Sequence, residues 1–328
     1  MDVAILDDYQ AVAQQMADWS QLPSGINVQF FHDHIANEDQ LVERLKNFQV
    51  IMGMRERTPF PRSVLERLPE LRLLVTAGMG NAVFDIPAAT ELGIVVSGTG
   101  GVGEGPTELT WGLILALMRR IPQEDRLTRE GNWGTTVGVG LKDKILGLLG
   151  LGHIGSLVAR VGTAFDMNII AWSQNLTLER AVECGAALVD KETLFKDSDV
   201  VSVHVQLSDR TRGLVGAREL SLMKPASYLI NISRGPIVDE ASMIQALTSG
   251  AIAGAGLDTF DIEPLPTNHP LLGLSNTVLT PHLGYVTEDG YRVRYTQVVE
   301  DIHAFTSGES IRVLNSQVLD SAQLRGPD

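Results

Sequence analysis

The chain has 328 residues, 44% hydrophobic and 20% charged, with a formal net charge of −14 and a sequence isoelectric point near 4.9. This length favours two domains, and the negative charge disfavours nucleic acid as a partner because it repels phosphate groups. A single cysteine, Cys184, excludes an intrachain disulfide and a thiolate metal cluster, and no metal is expected. The absence of a basic leader and of a long apolar stretch favours a cytoplasmic protein without a membrane partner.

Short β-branched runs alternate with helical patterns through the first hundred residues, which is typical of parallel α/β sheets. Helical stretches at Glu38–Lys46 and Val64–Leu68 separate some of these strands, and Pro61 suits the start of the second helix. The pattern predicts an open sheet of the flavodoxin type in a first domain over residues 1–99 plus 291–328. Its five predicted strands are Val3–Leu6, Val28–Phe31, Val50–Met52, Leu73–Thr76 and Ile94–Val96.

A glycine-rich passage, Gly98–Gly105, precedes a proline and a long amphipathic helix over Thr107–Arg120, which together mark a domain boundary. The second domain is expected over residues 100–290, and a closing helix (Glu288–Phe305) and short strand (Ile311–Leu314) then return to the first. The predicted fold class is α/β, with a Rossmann-type domain inserted in a flavodoxin-like domain, both doubly wound. The predicted strands of the second domain are Lys144–Leu149, Asn168–Trp172, Val200–His204, Tyr228–Asn231, Ile252–Leu257 and Thr277–Thr280.

A glycine motif with the spacing G-x-G-x-x-G joins the first strand of the second series to its helix. In this motif Gly150 makes the turn, Gly152 lets the backbone approach a pyrophosphate, and Gly155 allows the helix to pack closely on the strand. His153 and Ile154 open the helix, whose free N–H groups face the phosphates. A structural turn is the alternative, but the apolar strand before the motif and the amphipathic helix after it favour dinucleotide binding.

The next strand ends without the acidic residue that usually selects NAD. Ser173 occupies the expected ribose position and Gln174 follows it, so no carboxylate accepts ribose hydrogen bonds or repels a 2′-phosphate. The next basic residue is Arg180, and no dedicated phosphate clamp is visible. We expect NADP or NAD as the cofactor with a slight preference for NADP, and ordinary loop residues are the alternative interpretation.

Three residues that can carry chemistry follow apolar strands in the last third of the chain, where open α/β sheets bind ligands. They are Arg234, Glu263 and His282. A guanidinium can hold a carboxylate through two hydrogen bonds, an imidazole can exchange a proton, and a carboxylate can orient that imidazole and stabilise its charge. Each residue alone could be structural, but the set behind a dinucleotide motif predicts hydride transfer involving a small 2-keto or 2-hydroxy acid.

At these residues the chain resembles the D-isomer-specific 2-hydroxyacid dehydrogenase family, and the resemblance runs from the Ala77–Gly80 turn to His282. It implies that Arg234 binds the substrate, that His282 is the acid/base and that Glu263 is its partner. The first domain would then be the substrate domain and the second the dinucleotide-binding domain. The implied activity is similar to that of a glyoxylate or hydroxypyruvate reductase.

The resemblance implies further contacts and an assembly. The residues implied to touch the cofactor are Thr107, Ile232 (through its backbone) and Asp258. The residues implied to offer N–H groups to the substrate carboxylate are Gly78, Met79 and Gly80. A homodimer is also implied. One departure from the family lies in the segment after the strand that ends at His204, which often contains a proline and here reads Val205-Gln206-Leu207, and it leaves the adenine pocket undefined.

Two arginines, Arg55 and Arg57, follow the third strand of the first series. They are candidates for a contact with the distal end of the substrate, which would favour an acidic or phosphorylated group. An ion pair with Glu56 or with a neighbouring surface acid is the alternative.

Two other functions stay open. A corepressor-like module could use the fold to sense the dinucleotide and bind partner proteins, and phosphite oxidation uses the same set of Arg, Glu and His. The dehydrogenase is favoured because the chain has Arg234, Glu263 and His282 and shows no interaction tails. Its substrate is open among glyoxylate, hydroxypyruvate, pyruvate-like acids and 3-phosphoglycerate.

Overall fold

The computed structural model describes residues 1–327, and the strands in that range form one five-stranded and one seven-stranded parallel sheet. The first sheet consists of β1 (Asp2–Ile5), β2 (Asn27–Phe30), β3 (Val50–Gly53), β4 (Leu73–Thr76) and β5 (Val95–Gly98). The second consists of β6 (Ile145–Leu149), β7 (Asn168–Trp172), β8 (Ala187–Leu188), β9 (Val200–Val203), β10 (Tyr228–Asn231), β11 (Gly254–Leu257) and β12 (Thr277–Leu279). Most of the central strands are apolar and buried along their whole length, as expected for parallel strands that helices cover on both faces.

Helices separate most of the strands. They are α1 (Ala13–Met16), α2 (Glu38–Leu45), α3 (Arg62–Leu65), α4 (Ile86–Glu91), α5 (Gly105–Met118), α6 (Ile121–Arg129), α7 (His153–Ala164), α8 (Leu178–Glu183), α9 (Lys191–Asp197), α10 (Ala217–Leu222), α11 (Glu240–Ser249) and α12 (Glu288–Thr306). Within the described range, no helix is long and apolar enough to cross a membrane.

The first compact unit comprises Met1–Val102 and the segment that begins at Thr287. Its strand order, β2-β1-β3-β4-β5, is that of flavodoxin-like folds. The strand predicted over Ile311–Leu314 is wrong, because this segment contributes only an isolated bridge from Val313 to Ser97. The side chain of Asn315, rather than a strand backbone, accepts the hydrogen bond from the Val96 N–H at 2.9 Å, and regular pairing therefore ends.

The second compact unit comprises Gly103–Val286, with the strand order β12-β11-β10-β9-β6-β7-β8. This is the Rossmann order with one additional strand beyond its last position. The sequence predicted six strands and missed β8, whose two residues, Ala187 and Leu188, are both exposed. A two-residue edge strand is too short to show a periodic apolar pattern.

Candidate active site

The glycine motif forms a tight turn between β6 and α7. Gly150 has a φ of +105°, and a Cβ there would lie 2.8 Å from the carbonyl of His204 and 2.9 Å from Cγ1 of Val205. A Cβ on Gly155 would overlap the carbonyl oxygen of Gly150, whereas a Cβ on Gly152 would meet nothing within 4 Å. Packing therefore requires the first and third glycines, and the second leaves open space beside the helix end.

The start of α7 and the nearby part of α5 have polar groups that suit a ligand. The N-cap Gly152 has no side chain to cap α7, so the N–H groups of the first turn are available. On α5, Thr107 is 7% exposed, and its buried Oγ1 has no hydrogen-bond partner among the described residues. Buried hydroxyls are normally bonded. These features fit a bound dinucleotide, although His153 is exposed and Ile154 packs against the core.

The segment after β7 has no acidic side chain at the expected ribose position. Ser173 is half-buried and Gln174 is exposed. The nearby Lys191 lies 6.0 Å from the centroid of the Trp172 ring, but its Nζ is also 2.9 Å from the carboxylate of Glu219. The described surroundings therefore combine neutral side chains with a lysine that is already engaged by an acid.

His282 and Glu263 lie in direct contact. The imidazole Nδ1 is 2.7 Å from Oε2 of Glu263, and the two side chains are 13% and 27% exposed. The other carboxylate oxygen, Oε1, accepts a hydrogen bond from the Phe260 N–H at 2.9 Å. Because backbone and ring each hold one oxygen, the carboxylate is fixed in position and orients the imidazole with Nε2 facing away from it.

Asp258 follows β11 directly and is fully buried. Its Oδ1 accepts hydrogen bonds from the Thr280 hydroxyl at 2.6 Å and the Leu283 N–H at 2.7 Å, and its Oδ2 accepts one from the Gly284 N–H at 2.9 Å. Burial raises the pKa of Asp258 above its usual value, against these bonds, which lower it. The carboxylate therefore ties β11 to the segment that contains His282.

Arg234 lies in a loop that side chains and packing hold in place. Its Nη1 donates to the Ser233 carbonyl at 2.7 Å, and its own carbonyl accepts from Nδ2 of Asn231 at 2.9 Å. A Cβ on Gly235 would overlap the carbonyl group of Phe260, so this loop packs against the segment that leads to Glu263. Ile232, which precedes Arg234 in the loop, is 9% exposed.

In the first unit, the structure brings Arg55 to the turn that contains Gly78, Met79 and Gly80. Gly78 has a φ of +117°, and a Cβ there would lie 2.5 Å from Nη1 of Arg55. That nitrogen donates to the Ala77 carbonyl at 3.3 Å. The Gly78 N–H donates to the Thr99 hydroxyl at 3.2 Å, whereas Met79 and Gly80 are exposed.

The two candidate arginines of the first unit have different surroundings. The guanidinium of Arg57 donates to the Asp7 carbonyl at 2.9 Å and lies 4.4 Å from the centroid of the Tyr9 ring. Arg55 adopts a φ of +56°, and its Nε is 3.6 Å from the carboxylate of Glu56. The ion pair with Glu56 that the sequence offered as an alternative is therefore present for Arg55.

Two further residues, which the sequence analysis did not single out, support the site. Asn231 donates to the Arg234 carbonyl and accepts from the Ser233 N–H at 3.1 Å. Thr280 holds the Asp258 carboxylate. Both are polar residues at or just beyond the end of an apolar strand, and that position is the signal that could have identified them.

Comparisons with known proteins agree on one family. The family model described as D-isomer specific 2-hydroxyacid dehydrogenase, NAD binding domain, matches residues 111–284. The glyoxylate reductase of Aeropyrum pernix is 41% identical over 256 residues, which are 75% of this chain and 76% of that protein. The D-3-phosphoglycerate dehydrogenase of Archaeoglobus fulgidus is 36% identical over 279 residues, which are 84% of this chain and 53% of that protein.

A solved structure of an oxidoreductase from Ralstonia solanacearum has a TM-score of 0.92 at 35% identity, with 99% of each chain covered. The family model alone matches more than half of this chain. The chain therefore belongs to the D-isomer specific 2-hydroxyacid dehydrogenase family and is an NAD(P)-dependent oxidoreductase.

Proposed function

We propose that the protein transfers a hydride between NAD(P)H and C2 of a small 2-keto acid, giving the D-2-hydroxy acid, and that it also runs in reverse. Arg234 holds the substrate carboxylate, and His282 exchanges a proton with the C2 oxygen while paired with Glu263. The observation that carries this proposal is the 2.7 Å contact between Nδ1 of His282 and Oε2 of Glu263.

The bound dinucleotide supplies or accepts the hydride. In the reducing direction the C2 oxygen gains negative charge, and His282 donates a proton to it from Nε2. Glu263 stabilises the imidazolium before the transfer and keeps Nδ1 protonated after it. Arg234 suits the carboxylate because a planar guanidinium forms two parallel hydrogen bonds with it.

The glycine motif supports the assignment of the second unit to the dinucleotide. Gly150, Gly152 and Gly155 form the turn, and His153 and Ile154 begin the helix whose N–H groups bind the pyrophosphate. The other proposed cofactor contacts are Thr107, Ser173, Gln174, Ile232 and Asp258. Metal ions have no part in this proposal.

In the first unit, we assign the turn at Gly78, Met79 and Gly80 to the substrate carboxylate. The N–H of Gly78 already donates to the Thr99 hydroxyl, so we assign the N–H groups of Met79 and Gly80 as the donors to the substrate carboxylate. Arg55, which contacts this turn, and Arg57 are assigned to the distal end of the substrate. One relative is named a glyoxylate reductase and another a D-3-phosphoglycerate dehydrogenase. A contact of these two arginines with the substrate would favour an acid with an acidic or phosphorylated distal group.

For the cofactor, we propose a modest preference for NADPH because Ser173 replaces the acid that would repel a 2′-phosphate. Ser173→Asp should move the ratio of kcat/KM values toward NADH, and a neighbouring change of the same charge, Asn175→Asp, is the control. A parent that already prefers NADH strongly, or a ratio that Ser173→Asp leaves unchanged, would place the ribose elsewhere.

We also propose a homodimer. Trp133 and Val137, in the segment between α6 and β6, are 88% and 89% exposed, and large apolar side chains this exposed favour association. The double variant Trp133→Ser, Val137→Ser should convert a dimer to a monomer in light scattering behind size-exclusion chromatography. A parent that is monomeric at micromolar concentration contradicts the proposal.

The central experiment is turnover with glyoxylate, hydroxypyruvate, pyruvate, oxaloacetate and 3-phosphohydroxypyruvate, each with NADH and with NADPH. The expected result is reduction of at least one acid that His282→Ala lowers by about 100-fold or more, the usual contribution of a general acid. Dinucleotide binding without turnover of any acid would favour the corepressor-like function, and oxidation of phosphite alone would favour that reaction.

A further inference from the structure

Asp258 makes contacts that go beyond a cofactor contact. The three hydrogen bonds to its carboxylate come from Thr280, Leu283 and Gly284, and its backbone carbonyl accepts a fourth from the His282 N–H at 2.8 Å. A carboxylate offers about four acceptor positions. Donors in the segment 280–284 occupy three of these positions, so the protein itself uses most of the hydrogen-bonding capacity of this carboxylate.

The segment that Asp258 holds has an unusual backbone. His282 has a φ of +54°, in the left-handed region that costs a non-glycine residue about 1 kcal/mol or more. Such a conformation persists only where the surroundings fix it. The residues on both sides of His282, namely Thr280, Leu283 and Gly284, are the ones bonded to Asp258.

We propose that Asp258 is a positioning residue for His282. Its carboxylate holds the segment 280–284 in the left-handed turn that brings Nδ1 of His282 to Glu263. This inference rests on the proposed role of His282, and it gives Asp258 a task that does not require contact with the dinucleotide. All the hydrogen bonds that connect Asp258 to the segment 280–284 lie within the second unit.

The substitution Asp258→Asn tests this role because it preserves size and changes bonding. One acceptor oxygen becomes an NH2 donor, which must face an N–H or O–H donor of the segment 280–284, so a buried bond is lost. We expect kcat for keto-acid reduction to fall about 100-fold, while the Kd for NADH and NADPH rises by a much smaller factor than kcat falls.

Two variants accompany it. Thr280→Val removes only the hydroxyl bond and leaves the two backbone bonds, so a smaller loss of about tenfold or less in kcat is expected. Gly284→Ala places a Cβ 3.3 Å from Oδ2 of Asp258 and pushes the carboxylate without changing its charge. If Asp258→Asn does not fold, judged by circular dichroism, these two variants carry the test.

The deciding measurement is a double-mutant cycle with His282→Ala. If Asp258 acts through His282, adding Asp258→Asn to His282→Ala costs no further activity, and the two effects are strongly non-additive. Effects that multiply, or a Kd for the dinucleotide that rises as much as kcat falls, would show that Asp258 acts through its cofactor contact alone and not through His282. If His282→Ala retains parental activity, the proposed function fails before this question arises.

Discussion

At the scale of single residues, the proposed contact of Arg234 with the substrate carboxylate depends on two parallel hydrogen bonds from its guanidinium. Arg234→Lys keeps the positive charge but loses the planar guanidinium, so only a point charge remains for the substrate carboxylate. We expect kcat/KM for keto-acid reduction to fall at least about 100-fold, or about 2.7 kcal/mol of transition-state binding. A matched control is Arg292→Lys, an exposed arginine that pairs with Glu288 on α12. Activity of Arg234→Lys within about threefold of the parent would remove Arg234 from the substrate site.

Glu263 provides the second prediction at this scale. Glu263→Gln keeps an oxygen to accept from Nδ1 of His282 but removes the charge that stabilises the imidazolium. We expect kcat/KM for reduction to fall by about 10- to 100-fold, less than for His282→Ala, because general acid catalysis weakens but persists. Glu309→Gln, at an exposed position, is the control, and steady-state kinetics for both directions are the measurement. A loss confined to KM would show that Glu263 binds substrate rather than supporting proton transfer.

Sequence patterns singled out the residues whose chemistry is intrinsic and missed those whose role depends on a neighbour. A guanidinium, a carboxylate and an imidazole after strands suffice to suggest Arg234, Glu263 and His282. The contributions of Asn231 and Thr280 depend on which carbonyl or carboxylate lies beside each side chain, and only the folded loops decide that. The same holds for the left-handed backbone of His282, since no residue type predicts it.

At the scale of the element, the turn between β6 and α7 makes two different predictions for its glycines. Gly155→Ala forces a Cβ onto the Gly150 carbonyl, and overpacking of this kind costs about 1–3 kcal/mol. We expect a lower Tm and weaker dinucleotide binding together. Gly152→Ala meets open space, so Tm should hold while dinucleotide Kd rises about tenfold or more, since the pyrophosphate approaches there. Thermal unfolding and fluorescence titration measure both, and identical behaviour of the two variants would contradict this division of tasks.

Prediction of the strands succeeded where they were apolar and buried, and its two errors both lie at the edge of a sheet. β3 is buried and without a polar side chain over its four residues, and β4 and β9 are buried over four residues of which three are apolar, so their composition identifies them. β8 is short and exposed, and the segment 311–314 makes only an isolated backbone bridge to β5, with the side chain of Asn315 accepting the next hydrogen bond. Edges are where tertiary contacts, rather than local composition, decide whether a strand forms.

At the scale of the whole molecule, one buried acid links stability to pH. Burial raises the pKa of Asp301, on α12, to about 7, even though Arg312 donates to its Oδ1 at 2.9 Å. The folded protein therefore retains a proton that the unfolded chain loses near its ordinary pKa of 3.8. The stability contributed by this proton is complete below that value and is lost as pH rises toward 7.

Asp301→Asn removes this titration. The difference in unfolding free energy between parent and variant should shift by about 1.4 kcal/mol per pH unit from pH 5 to 7, disfavouring the parent as pH rises, and should level off above. Denaturation at several pH values measures it, with the exposed Asp320→Asn as control. A difference that stays constant from pH 5 to 8 would show that Asp301 is ionised throughout.

The discontinuity of the first unit has a consequence for synthesis. Its sheet is encoded by the first hundred residues, yet backbone groups on the outer edge of β5 are hydrogen-bonded by Arg312, Leu314 and Asn315, near the other end of the chain. During translation Gly103–Val286 emerges whole before those residues exist. The unit begun first is thus finished last, and in the interval β5 is an open edge able to pair with another nascent chain.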